Sequence, residues 1–267
     1  MSGSVDRELS IHGRQWEALH GGYFSDAAAS IPLIEKVEEF LRRARPQAVV
    51  DLGGGTGFLL SQLARRDAAK GLRLINLDCS ESQLAEAKEK GLGCLRASID
   101  DFRRKDLAAD GESVFFIMRS ALHYFGQSGL SAVLRHVRRQ ARTGEAFVHQ
   151  SASFESQGEA DCINELYRLM RTGKWYPTVD ALRRSLASAL WRLEDVLAAP
   201  ALPLESQELA LRYGLGRTDI ARIRDEIARR FGEIEGVFEL SPHGFLAHLR
   251  YWIYSCVAVS RQDTGAA

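Results

Sequence analysis

Cysteine is scarce and scattered. Cys79, Cys94, Cys162 and Cys256 show no C-x-x-C spacing and no partner histidines at metal-ligand spacing. That excludes a disulfide scaffold and a zinc ribbon, and it fits reduced thiols in a cytoplasmic protein. No apolar run is long enough to cross a bilayer and no signal-peptide pattern is present, so no membrane partner is expected. Excess charge is missing as well: 35 Lys and Arg stand against 35 Asp and Glu. The chain therefore carries no electrostatic footprint for nucleic acid. Its arginine pairs (Arg42-Arg43, Arg65-Arg66, Arg138-Arg139, Arg183-Arg184, Arg229-Arg230) mostly fall on the polar side of helical patterns and read as solvated faces. Internal repeats and low-complexity segments are lacking too. What remains is a 267-residue chain, 45% hydrophobic, able to bury a substantial core.

The rest of the chain is organised around Val49-Val50-Asp51-Leu52-Gly53-Gly54-Gly55-Thr56-Gly57-Phe58. Two β-branched residues lead into an acid, then four glycines within five positions, then an apolar helical pattern. The order predicts a buried strand turning sharply into a helix. So many glycines are seldom needed by a purely structural turn; they let a ligand approach the main chain. A dinucleotide fold asks for G-x-G-x-x-G and a pyrophosphate on the helix N-terminus. Here the order is G-G-G-x-G, and Asp51 stands two residues before it. A carboxylate at the loop entrance serves an anionic pyrophosphate poorly and serves a ligand with an ammonium and a sulfonium well.

Taken in order, residues 5–29 read as a mixed helical leader with Trp16, His20, Tyr23 and Phe24, and Ser30 as the cap of the next helix. Strands are expected at about 47–52, 72–77, 94–97, 114–118, 146–151, 191–196 and 245–259, with 207–213 as a further short strand. Ser80 and Gln83 form a capping-box pattern. Asp78 ends the second strand, 25 residues after Gly53. That strand end borders the ligand crevice of an open α/β sheet, and a carboxylate there can accept bonds from both ribose hydroxyls. A helix-start role is the alternative for Asp78. Ile220, Ile223, Ile227 and Phe231 make an amphipathic helix stopped by Gly232.

The glycine stretch and its flanks, over roughly residues 25–155, closely resemble class I S-adenosylmethionine-dependent methyltransferases of the small-molecule type. The resemblance implies a Rossmann-like, doubly wound α/β fold. Its seven-stranded sheet would be mostly parallel with an antiparallel last strand, with a helical leader and helical insertions after strands five and six. A single domain, 1–267, would divide into a leader or lid (1–45), a cofactor-binding core (46–155), a helical substrate wall (156–190) and C-terminal strands with an inserted helix (191–260). Gly53, Gly54 and Gly55 would cradle the amino-acid part of S-adenosyl-L-methionine. Asp51 would orient the loop or meet the ammonium, and Asp78 would hold the ribose with Cys79 and Gln83 alongside. Ser98 and Ile99 would read the adenine; a register shifted by two would give Asp100 the amine contact. Backbone near Arg119 and Ser120 would border the methionine, and Tyr23 or Phe24 could face the sulfonium.

Arg119-Ser120-Ala121-Leu122-His123-Tyr124-Phe125 resembles the segment after strand four in small-molecule methyltransferases. It lacks the Pro-Pro-Tyr of enzymes acting on adenine or glutamine amides. The acids that metal-dependent catechol-type enzymes gather are missing too, so no metal is expected. His123 lies past a strand end, where it could act as the base for a hydroxyl or amine nucleophile; packing is its other reading. His149 reads as structural. Trp175 and Tyr176 would suit a flat, aromatic substrate, or simply fill core. The inserted helix is expected to add to the substrate side or to a homodimer contact. The rivals are an RNA or protein methyltransferase, and a cyclase that keeps the cofactor without transferring its methyl. A nicotinamide dehydrogenase is disfavoured by Asp51 and the glycine spacing.

Overall fold

Strand β1 (Ala48–Leu52) is buried at every position, as is β4 (Val114–Arg119) up to Met118. In a computed structural model describing residues 22–263, these two lie at the middle of a sheet ordered β3-β2-β1-β4-β5-β8-β6. The other strands are β2 (Arg73–Asp78), β3 (Gly93–Arg96), β5 (Ala146–Ala152), β6 (Trp191–Glu205), β7 (Phe238–Ser241) and β8 (Gly244–Ala258). β1 to β5 run parallel, β8 inserts antiparallel between β5 and β6, and β7 forms a hairpin with β8. The expected mostly parallel sheet with an antiparallel last strand is therefore present, with β7 as an eighth strand.

Alternation sorts the central side chains. Val49, Phe115, Ile117 and Val148 pack with Leu33, Val37, Phe40 and Leu41 of α1 (Ala27–Ala44) and Leu59, Leu60 and Leu63 of α2 (Phe58–Leu63). Val50, Leu52, Phe116, Met118 and Phe147 face the opposite layer. That layer holds Leu130, Val133 and Leu134 of α4 (Gly126–Gln140) and Leu182 and Leu186 of α6 (Val179–Ser188). Helix α3 (Glu81–Glu89) bridges β2 and β3. Apolar strands covered on both faces are what a parallel sheet requires.

A third core lies beyond the carboxyl ends of the parallel strands. β5 stops pairing with β8 at Ala152–Tyr251, but β6 and β8 continue together from Ala199–Tyr251 to Glu205–Leu246. On this projecting ribbon pack α5 (Gln157–Leu169), α7 (Ser206–Tyr213) and α8 (Arg217–Phe231), through Ile163, Leu166, Leu209, Ile223, Ile227, Phe238 and Phe245.

Several local expectations are corrected. Ser30 does not cap α1: Asp26 does, accepting from Ala28 N at 2.8 Å, and Ser30 Oγ instead donates to Ala27 O. Residues 206–213 form a helix, not a strand, because Leu209 and Tyr213, four apart, are the buried pair while Leu211 is 87% exposed. β6 runs nine residues past the expected end at Val196. Pro200 and Pro203 do not stop it, since an edge strand leaves one row of backbone groups unpaired. Trp16 and His20 lie outside the described residues.

Candidate active site

The glycine loop is closed by its own neighbours. Asp51 pairs with Asn76 and Leu52 with Leu77 across β1 and β2, and Gly53 N donates to Leu77 O at 2.7 Å. Gly53 and Gly55 have φ of 73° and 56°, a region other residues enter only with strain. Gly54 is required by crowding: a Cβ there would stand 2.1 Å from Asn76 Oδ1 and 2.7 Å from Asp51 Cγ. Asn76, fully buried between Ile75 and Leu77 of β2, donates from Nδ2 to Gly55 O at 2.7 Å. Gly55 N–H donates to Asp78 Oδ2 at 2.9 Å. One loop N–H is thus already held by a carboxylate.

Two acids face this loop. Asp51 is 1% exposed, and its Oδ1 has no hydrogen-bond partner. Burial, and then the Asp78 charge, pushes its carboxyl up to about 7, against an opposing pull from Arg119. Asp78 is also raised by burial but is steadied by backbone N–H groups, Ser80 N donating to Oδ1 at 2.8 Å.

Asp51, Gly53, Gly54, Gly55, Asp78, Cys79, Gln83, Ser98, Ile99 and Arg119 all line one open cavity at the carboxyl ends of the strands. Phe24, Ser25, Ser120, Ala121, Tyr124 and Phe125 are also on its wall. Ser98 hydrogen-bonds Asp100, so Ser98 is the residue on the cavity and Asp100 stands behind it. Ser80 accepts from Gln83 N at 3.4 Å. Gln83 Oε1 lies 2.8 Å from where a Gly55 side chain would start, against the loop.

Arg119 ends β4 and gathers the leader. Its Nη1 donates to Phe24 O and its Nη2 to Tyr23 O, both at 3.2 Å, while the guanidinium lies 5.2 Å and 5.4 Å from the Tyr23 and Phe24 ring centroids. Its Nε is buried with no partner, and burial holds the group below the ordinary arginine range. Tyr23 does not face the cavity. It stacks on Tyr251 at 5.6 Å, donates to Pro200 O and accepts from Gln150 Nε2. Phe24 is the aromatic on the cavity wall. Next to Arg119, Ser120 holds φ 59° and shares a 2.5 Å hydrogen bond with Tyr251 Oη.

His123 is not on this cavity. The 3-10 turn Leu122–Phe125 turns its ring onto Tyr176, 5.2 Å away and nearly parallel, and its carbonyl accepts from Trp175 N. With Trp175 and Ser151 it lines a separate, small cavity. Tyr176 is 1% exposed in the third core, so the aromatic loop does not wall the main cavity. His149 is fully buried, stacked on Tyr254, and pushed down to about 3 by burial. Asn76, Tyr251 and the Arg119 side-chain contacts are absent from the sequence reading. A polar residue amid Leu72–Leu77 was the available signal for Asn76. Among the described residues no cluster of three His, Cys, Asp or Glu side chains could hold a metal ion, and no helix is long and apolar enough to cross a membrane.

Residues 49–144 match the family described as "Methyltransferase domain". A 45-residue stretch is 51% identical to the carboxy-S-adenosyl-L-methionine synthase of Wolinella succinogenes, covering 17% of this chain and 19% of that protein's length. Among solved structures, the YcgJ protein of Bacillus subtilis superposes with a TM-score of 0.63 at 14% identity, over 85% of this chain and 98% of that one. The 1,6-didemethyltoxoflavin-N1-methyltransferase of Burkholderia thailandensis, with 1,6-didemethyltoxoflavin and S-adenosylhomocysteine bound, gives 0.55 at 14% identity, over 97% and 92%. The glycine loop, the two acids and the sheet order agree with these matches: residues 49–144 are similar to a methyltransferase domain, and the chain has the fold of these methyltransferase structures.

Proposed function

We propose that this protein transfers the methyl group of S-adenosylmethionine to an oxygen, nitrogen or carbon of a small, flat acceptor. One observation carries the reading: Gly55 N–H is bonded to Asp78 while Asp51 Oδ1 is left without a partner. A site with two buried acids and a satisfied loop amide asks for a ligand with a positive charge and hydroxyl donors, not for a phosphate.

Asp78 would accept from the ribose hydroxyls while keeping its two backbone bonds. Asp51 would accept from the α-ammonium. Gly53, Gly54 and Gly55 leave room for the amino-acid arm against bare backbone. Ser98 and the Ile99 N–H would meet the adenine edge, with Cys79 and Gln83 beside the ribose. The bound cofactor supplies a methyl group made electrophilic by its sulfonium. Positive charge disperses as that methyl moves, so the site gains most by holding two reactants in line. Alignment of this kind is worth effective molarities of about 10⁵–10⁸ M in model systems.

On the acceptor side, Phe24, Tyr124 and Phe125 offer aromatic surface, and Ser25, Ser120 and Tyr124 offer hydroxyls. This supports a flat, partly apolar acceptor. His123, turned into its own cavity, is better read as packing for the 3-10 turn than as a base.

The test is calorimetric titration with S-adenosylhomocysteine beside NADH, followed by a screen of small acceptors for a gain of one CH₂ in mass. Binding of the first alone supports the reading. Binding of NADH alone, or of neither, overturns it. A product of unchanged mass would instead favour a cyclase.

A further inference from the structure

Of the four described non-glycine residues with positive φ, Ser120 is the one that lines the cavity. Its N–H donates to Gln150 O at 2.8 Å, where β4 and β5 stop pairing, and the chain then turns at φ 59°. Strain of this kind persists where the surroundings fix it, and it points to a use. The side chain is fixed by Tyr251 of β8, whose Oη lies 2.5 Å from Ser120 Oγ. Tyr251 is 2% exposed and lines neither cavity.

A count of hydrogens sets the direction of this bond. Two hydroxyls bring two hydrogens, and the bond between them uses one. Neither oxygen has another described partner. If Ser120 donated, the Tyr251 hydrogen would be sealed in the protein without an acceptor. If Tyr251 donates, the spare hydrogen belongs to Ser120, on the cavity wall, where a ligand can accept it. Only the second arrangement leaves no buried donor unpaired. Burial also raises the Tyr251 phenol above its ordinary range, so it stays a donor. A hydroxyl that accepts one bond is polarised and donates the next more strongly. Arg119, the residue before, adds positive charge. Its guanidinium is held by the Phe24 and Tyr23 carbonyls and by the Tyr23 side chain, and it forms no ion pair among the described residues. A strong O–H donor in a positive field suits an acceptor atom that carries negative charge.

We propose that Ser120, set by Tyr251, donates a hydrogen bond to the methyl acceptor, and that the acceptor it selects is an acidic hydroxyl, a phenol or an enol, bound as its oxyanion. This rests on the methyl-transfer reading above and narrows its acceptor. The hydroxyl gives its proton to solvent before it binds. The oxyanion then attacks the methyl: the O–CH₃ bond forms, the S–CH₃ bond breaks with its electron pair passing to sulfur, and anion and sulfonium become an ether and a thioether. No proton moves in that step, which agrees with His123 being turned away from the cavity. The bond from Ser120 tempers the nucleophile but favours its ionised form over the neutral one. Ser120 is thus a specificity-determining residue, and Tyr251 a positioning residue behind it.

The probes are para-nitrophenol, whose ionised form is coloured, and para-nitroanisole, the same ring with its oxygen already methylated. Each is titrated into the protein saturated with S-adenosylhomocysteine, at a pH where half of the phenol is ionised in water. The wild type is expected to hold the phenol more tightly than the ether and to raise its ionised fraction. Ser120→Ala should weaken the phenol by about 10- to 100-fold, the worth of a hydrogen bond to a charged group, and should abolish the gain in colour. The ether and S-adenosylhomocysteine should each change by less than about 3-fold. Tyr251→Phe should weaken the phenol by about 3- to 10-fold, and the double variant should be no weaker than Ser120→Ala, since the two hydroxyls act in series. Binding of the phenol without a gain in colour overturns the proposal, as does equal weakening of phenol and ether, or a loss confined to S-adenosylhomocysteine. Failure of the phenol to bind the S-adenosylhomocysteine complex overturns it too and leaves the methyl-transfer reading standing. If the wild type does not bind S-adenosylhomocysteine, both fall. If Tyr251→Phe does not fold, Ser120→Ala and Ser120→Gly decide: the phenol-to-ether affinity ratio of the wild type, kept in both, counts against the donor.

Discussion

The floor of the cavity and the cap beyond it are built by different rules. The floor takes its parts from strand ends: Asp51 to Gly55 across the end of β1, Asp78 at the end of β2, Ser98 and Ile99 after β3, Arg119 at the end of β4. Each part is a few residues long and is set by parallel register with its neighbour. The cap is a shared apolar core, in which Ile163, Ile223 and Phe245 meet from segments far apart in the chain. A floor of this kind fails at single atoms, whereas a cap of this kind fails by degrees.

Gly54→Ala should separate the two most sharply. Its Cβ has no space against Asn76 and Asp51, so S-adenosylhomocysteine binding is expected to fall by at least about 100-fold, measured by calorimetry, with a lowered melting temperature. Ile223→Ala works on the cap. Removing a fully buried isoleucine side chain should cost about 2–5 kcal/mol of stability by chemical denaturation. Where the protein stays folded, affinity for S-adenosylhomocysteine should hold; a loss equal to that of Gly54→Ala would show that floor and cap are one unit. Asp78→Asn keeps the shape and removes the charge-assisted bonds, and should weaken the same ligand by about 10- to 100-fold.

A smaller effect comes from pH. Asp51 is held up to about 7 by burial, well above the ordinary aspartate value of 3.8. The folded chain therefore binds a proton that the unfolded chain has lost between these values. Stability of the ligand-free protein should fall as pH rises from about 4 to 7. Binding runs the other way: an ammonium needs the ionised carboxylate, so affinity should rise about tenfold from pH 6 to its plateau above 7. The titration reports Asp51 together with Asp78 and Arg119, the charged groups acting on it. Calorimetry across pH with Asp51→Asn alongside checks this, and a flat profile in the wild type would count against the Asp51 contact. Smallest of all, Leu211→Asn on the exposed face of α7 should stay within about 0.5 kcal/mol of wild type in the same denaturation.

The same contrast decides what was legible in the sequence. The glycine run, Asp78 and the strand-end polar residues could be read because their chemistry sits within a few positions of a recognisable strand. Arg119 could be placed at the site, but its hold on Tyr23 and Phe24, some 95 residues away, is a tertiary fact. His123 shows the same limit: proximity to the end of β4 is a sequence property, while the direction of its ring is set by a turn packed under the 172–177 loop. In the cap, the end of β6 and the helix at 206–213 were misread because edge position and a four-residue buried spacing override the prolines and the local alternation.

The placement of β8 has a consequence for how the chain comes to be. The strand that fills the place beside β5 is made about a hundred residues after it, and it is the last of the eight to leave the ribosome. Until then β5 presents a bare apolar edge, the kind that invites pairing with another chain, and closing it is a contact of long sequence separation and so a slow one. A chain stopped before residue 244 should therefore sediment as aggregate during refolding rather than bind nucleoside. The nucleoside floor, complete in sequence by residue 152, waits on the far end of the cap to become a finished surface.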